Sequence, residues 1–72
     1  GLVLGPQQVF VTDASGNVWA FARANGQVLW VQRQLAYRKL SAPQLMDNTI
    51  VVADGEGYLH WLAQTDGDVV AR

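Results

Sequence analysis

The chain has 72 residues, of which half are hydrophobic and 15% are charged, and its formal net charge is −1. Since it contains no cysteine, a disulfide framework and a thiolate metal site are excluded. The near-neutral charge gives no long-range attraction to nucleic acid or to an anionic membrane, and no apolar run approaches the ~20 residues that span a bilayer.

The first half of the chain is predicted to form short strands separated by turns. Its apolar segments are rich in Val, Phe, Trp and Leu, which favour strands. In the first long turn, Asp13 can bond the backbone two residues on, and Gly16 tolerates a positive φ. In the next turn, Asn25 and Gly26 supply the residues that a tight hairpin needs. The predicted strands cover 2–4, 9–12, 17–22 and 27–32.

The second half is predicted to form a similar unit after a linker over 35–42. Pro43 opens this unit, at a strand position where a missing N–H is tolerated. The predicted strands then cover 43–45, 50–53, 58–63 and 68–72. We therefore expect one unit over 1–34, with an incomplete first strand, and another over 43–72, with an incomplete last strand.

The two units are copies of one repeat. Sliding the segment 50–72 over 9–31 by 41 residues (57 − 16) aligns them without a gap. The identical pairs include Asp13 with Asp54, Gly16 with Gly57, Ala22 with Ala63, Gly26 with Gly67, and Val28 with Val69. A period near forty is typical of propeller blades of ~40–45 residues and of some helical repeats. Short strands bounded by Gly, Asn and Asp favour the blades.

The strands read as near-continuous apolar runs, as in Val9-Phe10-Val11 and Ile50-Val51-Val52. Such runs are typical of sheets that are covered on both faces, and the charged fraction is below the ~25% of an average domain. We therefore predict an all-β fold of antiparallel β-propeller blades, about one and three-quarter four-stranded blades of an eight-bladed ring. Two blades alone would lack neighbours, so we expect them to join the rest of a ring or to self-associate, four copies closing eight blades.

A motif in the first unit resembles a known family of repeats. The run 20–30 is similar to the tryptophan docking motif of the pyrroloquinoline-quinone-type propeller repeat, Ala-x-Asp-x-x-Thr-Gly-x-x-x-Trp. Ala20, Gly26 and Trp30 match it. The resemblance implies that Trp30 packs between adjacent blades.

The second copy of this motif is more degenerate. Only Gly67 is kept, while Trp61 stands at the Ala position and Ala71 at the Trp position. The resemblance implies a weaker interblade contact at Ala71.

A narrower resemblance covers the run VVADGEGYLHW over 51–61, preceded by Leu-Ser-Ala-Pro over 40–43. It looks like the late blades of the BamB family, lipoproteins of the outer-membrane β-barrel assembly machinery. This implies a non-catalytic scaffold without a cofactor, at the periplasmic face of the outer membrane of a Gram-negative bacterium. The implied partners are the periplasmic (POTRA) domains of BamA, and the implied membrane attachment is an N-terminal lipid, for which this sequence has no motif.

Two alternatives remain open. A quinoprotein dehydrogenase that depends on pyrroloquinoline quinone shares the repeat, although no residue cluster for the quinone and its calcium is evident. Another ligand-binding or sensor propeller would also fit.

The candidate functional residues fall into two groups. Those expected to act in interblade packing and turns are Gly16, Gly26, Trp30, Gly57, Trp61 and Gly67. Those expected to contact a partner are Arg33, Tyr37, Arg38 and Lys39, in and beside the linker. Tyr and Arg are favoured at protein interfaces, and loops carry function on rigid scaffolds.

The remaining candidates for chemistry have structural interpretations. His60 is the single histidine and lacks the convergent partners that a zinc site or a general base requires, so we expect it to be packed. Asp13 and Asp54 occupy equivalent turns, which favours a turn role over paired-carboxylate catalysis. We expect no metal, because the acidic turns lack the ligand number that calcium needs.

Overall fold

The computed structural model describes residues 1–35 and 39–71 and shows only strands and turns in those ranges. The strands are β1 (Leu2–Leu4), β2 (Gln8–Thr12), β3 (Val18–Ala22), β4 (Val28–Gln32), β5 (Gln44–Met46), β6 (Thr49–Ala53), β7 (Leu59–Ala63) and β8 (Val69–Ala71). The first sheet contains β1 to β4 and the second sheet β5 to β8, each in chain order with antiparallel pairing. The all-β prediction is confirmed. Within the described ranges no helix is long and apolar enough to cross a membrane.

The 41-residue repeat is also a repeat of strand register. Phe10 pairs with Ala20 in the first sheet, and Val51 pairs with Trp61 in the second. The ladder between the third and fourth strands is irregular after Ala20 and, 41 residues later, after Trp61. The two sheets therefore share their bulges as well as their turns.

The hydrophobic core lies between the two sheets. Cross-strand partners project to the same side of a sheet, so each sheet presents one apolar face to the other, which we call its inner face. The fully buried side chains are Phe10, Val18 and Ala20 from the first sheet, Ile50, Val52 and Leu62 from the second, and Leu35 from the connection. The segment expected to be a linker thus begins with a core residue.

Trp30 joins the two inner faces. Its indole lies so close to Gly67 of the second sheet that a Cβ atom on this glycine would be 2.3 Å from Trp30 Cε3. The indole N–H donates to the carbonyl of Gln64 at 2.9 Å, and the ring centroid is 6.0 Å from that of Phe10. Trp30 is therefore fixed by apolar contact and by a hydrogen bond across the interface.

Two glutamines add polar contacts beside the tryptophan. Gln32 Nε2 donates to the carbonyl of Gly67 at 2.7 Å, and Gln8 Nε2 donates to that of Gln64 at 3.2 Å. These carbonyls belong to the turn between β7 and β8. The turn is thus held by three side-chain donors from the first sheet.

The repeat provides a matched test of the tryptophan contact. Gly26 and Gly67 occupy equivalent turns with nearly equal φ angles of 76° and 78°. A methyl group would meet Trp30 at Gly67, whereas no heavy atom of the described residues lies within 4 Å of the corresponding position at Gly26. A side chain would therefore strain the backbone at both glycines, but it would clash with a neighbour only at Gly67.

We expect Gly67→Ala to lower the midpoint of thermal unfolding more than Gly26→Ala. Both variants carry a left-handed backbone cost of roughly 1–2 kcal/mol, but only Gly67→Ala displaces the indole. In the Trp30→Ala background the additional destabilisation caused by Gly67→Ala should shrink, because the effects of substitutions at residues in contact are not additive. Equal losses for the two glycine variants in the wild-type background would contradict the contact.

Candidate interaction surface

Each sheet has an aspartate-centred turn between its second and third strands. Asp13 Oδ1 accepts hydrogen bonds from the backbone N–H groups of Ser15 (2.9 Å) and Asn17 (3.0 Å). Asp54 Oδ1 accepts the same two bonds, at 2.9 and 3.1 Å, from the residues two and four positions on. The predicted turn role of both aspartates is confirmed, since each carboxylate replaces a backbone acceptor within its turn.

The second oxygen of each carboxylate meets an aromatic ring nitrogen. Trp19 Nε1 donates to Asp13 Oδ2 at 2.8 Å, and His60 Nε2 lies 2.8 Å from Asp54 Oδ2. Trp19 and His60 are equivalent in the repeat (60 − 19 = 41). Because an ionised carboxylate has only acceptor atoms, His60 Nε2 carries the proton, as the indole nitrogen does.

His60 is a packed residue, as predicted. Its exposed fraction is 2%, and its Nδ1 atom is buried without a hydrogen-bond partner among the described residues. Within those residues no three His, Asp or Glu side chains form a group that could hold a metal. The imidazole therefore serves the Asp54 turn.

These hydrogen bonds lower the pKa of both carboxyl groups to about 2. At Asp13 the largest cause is the bond from Trp19, followed by the backbone N–H of Asn17. At Asp54 the largest cause is the bond from His60, which outweighs the opposing effect of desolvation. Both turns are consequently built around carboxylates at neutral pH.

The face of the first sheet that points away from the core is also apolar. Its residues alternate with those of the inner face, as the ladder registers require. This outer face of the first sheet consists of Leu2, Leu4, Val9, Val11, Trp19, Phe21, Val28 and Val31. The rings of Trp19 and Phe21 stack on it with 6.0 Å between centroids and 7° between planes, and Leu4 is 56% exposed.

The second sheet has an outer face of similar character. Cross-strand pairing places on it Gln44, Met46, Thr49, Val51, Ala53, Leu59, Trp61, Ala63 and Ala71. Most of these residues line a shallow groove of about 270 Å³, to which Ser41 and Ala42 also contribute. Contiguous exposed apolar patches of this kind mark interaction sites.

The predicted packing and turn residues occupy several different places. Gly16 and Gly57 lie in the aspartate turns with positive φ angles of 87° and 92°. Trp30 and Gly67 meet at the interface, whereas Trp61 is half-buried on the outer face.

The predicted partner contacts are only partly covered by the structure. Arg33 and Lys39 are exposed, and Lys39 lies beside the turn at Gly55. Tyr37 and Arg38 lie outside the described residues. The structure therefore leaves this group as a prediction.

Sequence reasoning did not assign residues to the outer faces. Their strands read as continuous apolar runs, so period-two alternation gave no sign of which side chains share a face. The missing information is the ladder register, which pairs Phe10 with Ala20 rather than with a neighbour of Ala20. A one-residue slip would exchange the two faces.

Comparison with known proteins shows which proteins the chain resembles. No family model matches the sequence. The outer membrane protein assembly factor BamB of Alkalilimnicola ehrlichii is 39% identical over 72 residues, which is 100% of this chain and 19% of that protein. The crystal structure of BamB from Moraxella catarrhalis matches 99% of the chain with a TM-score of 0.93 at 32% identity. Over its whole length the chain is therefore similar to BamB proteins. It spans 21% of the solved Moraxella catarrhalis BamB chain.

A second solved structure bears on the alternative class. Europium-containing methanol dehydrogenase matches 99% of the chain and 14% of its own length, with a TM-score of 0.83 and 21% identity. At this identity the match shows a shared fold alone. Together with the BamB structure, it identifies the two sheets as β-propeller blades.

We expect the chain to lose stability as the pH falls from about 4 to about 2. The folded-state pKa of Asp13 and Asp54 is about 2, below the ~3.9 of an unfolded chain. Carboxyls with lowered pKa values stabilise the fold above the unfolded value, and this contribution is lost as they protonate. Thermal unfolding followed by circular dichroism should show the fall, and the double variant Asp13→Asn/Asp54→Asn should show a shallower one. An undiminished fall in the double variant would contradict the assignment.

The ring donor can be tested in the first sheet by two substitutions of Trp19. Trp19→Phe keeps an aromatic ring but removes the N–H, so the pKa of Asp13 should rise towards its ordinary value. Trp19→His installs the donor that the second sheet uses, so the pKa of Asp13 should stay low. The measurement is a carboxyl-carbon NMR titration. If Trp19→Phe leaves the pKa of Asp13 unchanged, the indole is not its main cause.

Proposed function

We propose that this chain is part of a non-catalytic scaffold that acts in the assembly of outer-membrane β-barrel proteins by binding protein partners. The observation that carries the proposal is the 39% identity, over all of this chain, to a protein named outer membrane protein assembly factor BamB. The proposed location is the periplasmic face of the outer membrane of a Gram-negative bacterium, with attachment through an N-terminal lipid of the whole protein.

The chemistry of the described residues supports a scaffold. A general base needs an accessible lone pair near its substrate, but Asp13 and Asp54 are bound within their turns. His60 is buried against Asp54. These three side chains are thus used to fix the two turns.

The surface also fits protein recognition. The connection between the blades carries exposed Arg33 and Lys39, and its start is anchored in the core by Leu35. A loop held by a rigid scaffold can present charged side chains with little loss of order on binding. We propose that this connection contributes to binding the periplasmic (POTRA) domains of BamA.

The dehydrogenase alternative has weaker support. Its structural relative is 21% identical, against 39% for the BamB relative. The fold is common to both, so the sequence identity favours the scaffold.

A pull-down from envelope extract tests the proposal. The full-length protein that carries these blades should retain BamA. Arg33→Glu and Lys39→Glu should together weaken retention by roughly tenfold, which corresponds to about 1.4 kcal/mol. Asp68→Lys, a charge reversal at an exposed residue in the turn between β7 and β8, serves as the control and should leave retention unchanged.

The possible outcomes test separately whether BamA is the partner and whether Arg33 and Lys39 lie on the binding surface. If wild-type protein retains no BamA, the proposed partner is wrong. If the Arg33 and Lys39 variants retain it fully, BamA remains the partner but binds another surface. Tight binding of pyrroloquinoline quinone and calcium with dye-linked oxidation would instead favour the dehydrogenase.

A further inference from the structure

The turn between β3 and β4 contains the single Asn-Gly pair of the sequence, Asn25 and Gly26. Asn25 is exposed, and Gly26 has a φ angle of 76°. The side-chain carbonyl of Asn25 accepts a hydrogen bond from the backbone N–H of Gln27 at 3.0 Å. The amide side chain is thus folded over the peptide that follows it, as in an Asx turn.

The exposure of Asn25 does not depend on a free sheet face. Its equivalent in the second sheet, Asp66, is exposed although the first sheet covers the turn around it. In that turn Trp30 contacts Gly67, and Gln32 donates to the carbonyl of Gly67. A sheet packed in the same way against the first turn would leave Asn25 exposed as well.

We propose that Asn25 is a site of spontaneous covalent modification, at which its side chain closes a succinimide ring with the backbone of Gly26. The backbone nitrogen of Gly26 attacks Cγ of Asn25, and the bond between Cγ and Nδ2 breaks. The side-chain nitrogen leaves as ammonia and takes the proton of the Gly26 N–H. Water then opens the ring at either carbonyl carbon, giving aspartate or an isoaspartate whose main chain runs through Cγ. The proposal goes beyond the role in barrel assembly and does not depend on it.

Glycine at position 26 favours ring closure because no side chain stands beside the attacking nitrogen. In the folded turn this nitrogen donates a hydrogen bond to the carbonyl of Ala22 at 2.7 Å, so the turn must open before the reaction. Turns open locally at a lower free energy than core strands do, and glycine has the widest choice of backbone conformations. The chain therefore reaches the reactive geometry without unfolding as a whole.

The other two asparagines are poorly suited to the same reaction. Asn17 is followed by Val18 and Asn48 by Thr49, and both of these β-branched side chains are stiff and crowd the backbone. The side-chain nitrogen of Asn17, which would have to leave, donates to Asp13 Oδ2 at 3.1 Å. A following glycine distinguishes Asn25 from both.

Two Asp-Gly pairs, at 54–55 and 66–67, differ from the Asn-Gly pair in their leaving group. A carboxylate would have to expel an oxide ion, so it resists the attack that an amide allows. Asp54 is in addition buried, with both carboxylate oxygens bonded within its turn. Among the described residues, Asn25 therefore combines the leaving group, the following glycine and the exposure that the reaction needs.

The second sheet shows that an aspartate product would fit the turn. Asp66 Oδ1 accepts a hydrogen bond from the backbone N–H of Asp68 at 3.0 Å, as Asn25 Oδ1 does from that of Gln27. The two turns thus share this bond although one has an amide and the other a carboxylate. Hydrolysis to aspartate should leave the hairpin intact.

An isoaspartate product would not fit, because it adds an extra atom to the main chain of a tight hairpin. The bond from the Gly26 N–H to the carbonyl of Ala22 and the bond from the Ala22 N–H to the carbonyl of Gln27 are both 2.7 Å long. A longer main chain would displace both. The strand that follows is β4, which carries Trp30 to the second sheet, so this product should weaken the contact between the sheets.

Ageing the full-length protein at mildly alkaline pH, followed by tryptic digestion and mass spectrometry, tests the proposal. The three asparagines fall into separate tryptic peptides, which end at Arg23, Arg33 and Arg72. We expect Asn25 to gain the mass difference between an amide and an acid roughly tenfold faster than the other two, which corresponds to about 1.4 kcal/mol in activation free energy. Equal rates at the three asparagines, or an unchanged peptide over 24–33, would overturn the proposal.

Variants of Asn25 separate the two products. In Asn25→Gln the mass gain at this position should disappear, because the longer side chain would have to close a larger ring. Asn25→Asp should unfold at the same temperature as fresh wild-type protein. The aged fraction that an isoaspartyl methyltransferase labels should unfold at a lower temperature. A labelled fraction as stable as Asn25→Asp would show that the hairpin accommodates isoaspartate and overturn its predicted effect on β4.

Discussion

The fold depends on the burial of two apolar sheet faces against each other. A chain of 72 residues has a small core. Within the described residues its fully buried apolar part consists of seven side chains, among them Phe10 and Ile50. Trp30 extends this core to the turn of the second sheet, where Gly67 leaves space for the indole. The aspartate turns fix the connection between the second and third strands of each sheet. They therefore help to keep the strand register that places the apolar side chains on the face in contact.

The repeat and its turns could be predicted from the sequence because they depend on local chemistry at a fixed spacing. Asp13 and Asp54 bond backbone only two and four residues away, so their role is visible in the sequence. The bond between His60 and Asp54 was also accessible, since Trp19 stands six residues after Asp13 as His60 does after Asp54. The sequence by itself predicts only that the histidine is packed.

The long-range contacts could not be predicted in the same way. Gln8 and Gln32 reach the other sheet across 56 and 35 residues, and the equivalent of Gln8 in the second unit is Thr49, so no repetition reveals them. Leu35 is buried although it lies in the segment between the repeats. Which face a residue lies on, which residue it contacts and whether a connection is buried all depend on how the two sheets pack. The similarity to BamB was predicted from a resemblance between sequences and not from the physical properties of the chain.

The exchange between Ala20–Trp30 and Trp61–Ala71 has a consequence for how such repeats diverge. In both sheets one large and one small side chain face each other across the same ladder, although the large one has changed strands. Volume is therefore preserved for the pair while neither position is preserved by itself. The signature tryptophan can therefore be missing from its position while the pair keeps its total volume, and a search that scores the two positions jointly would recognise the second unit as readily as the first.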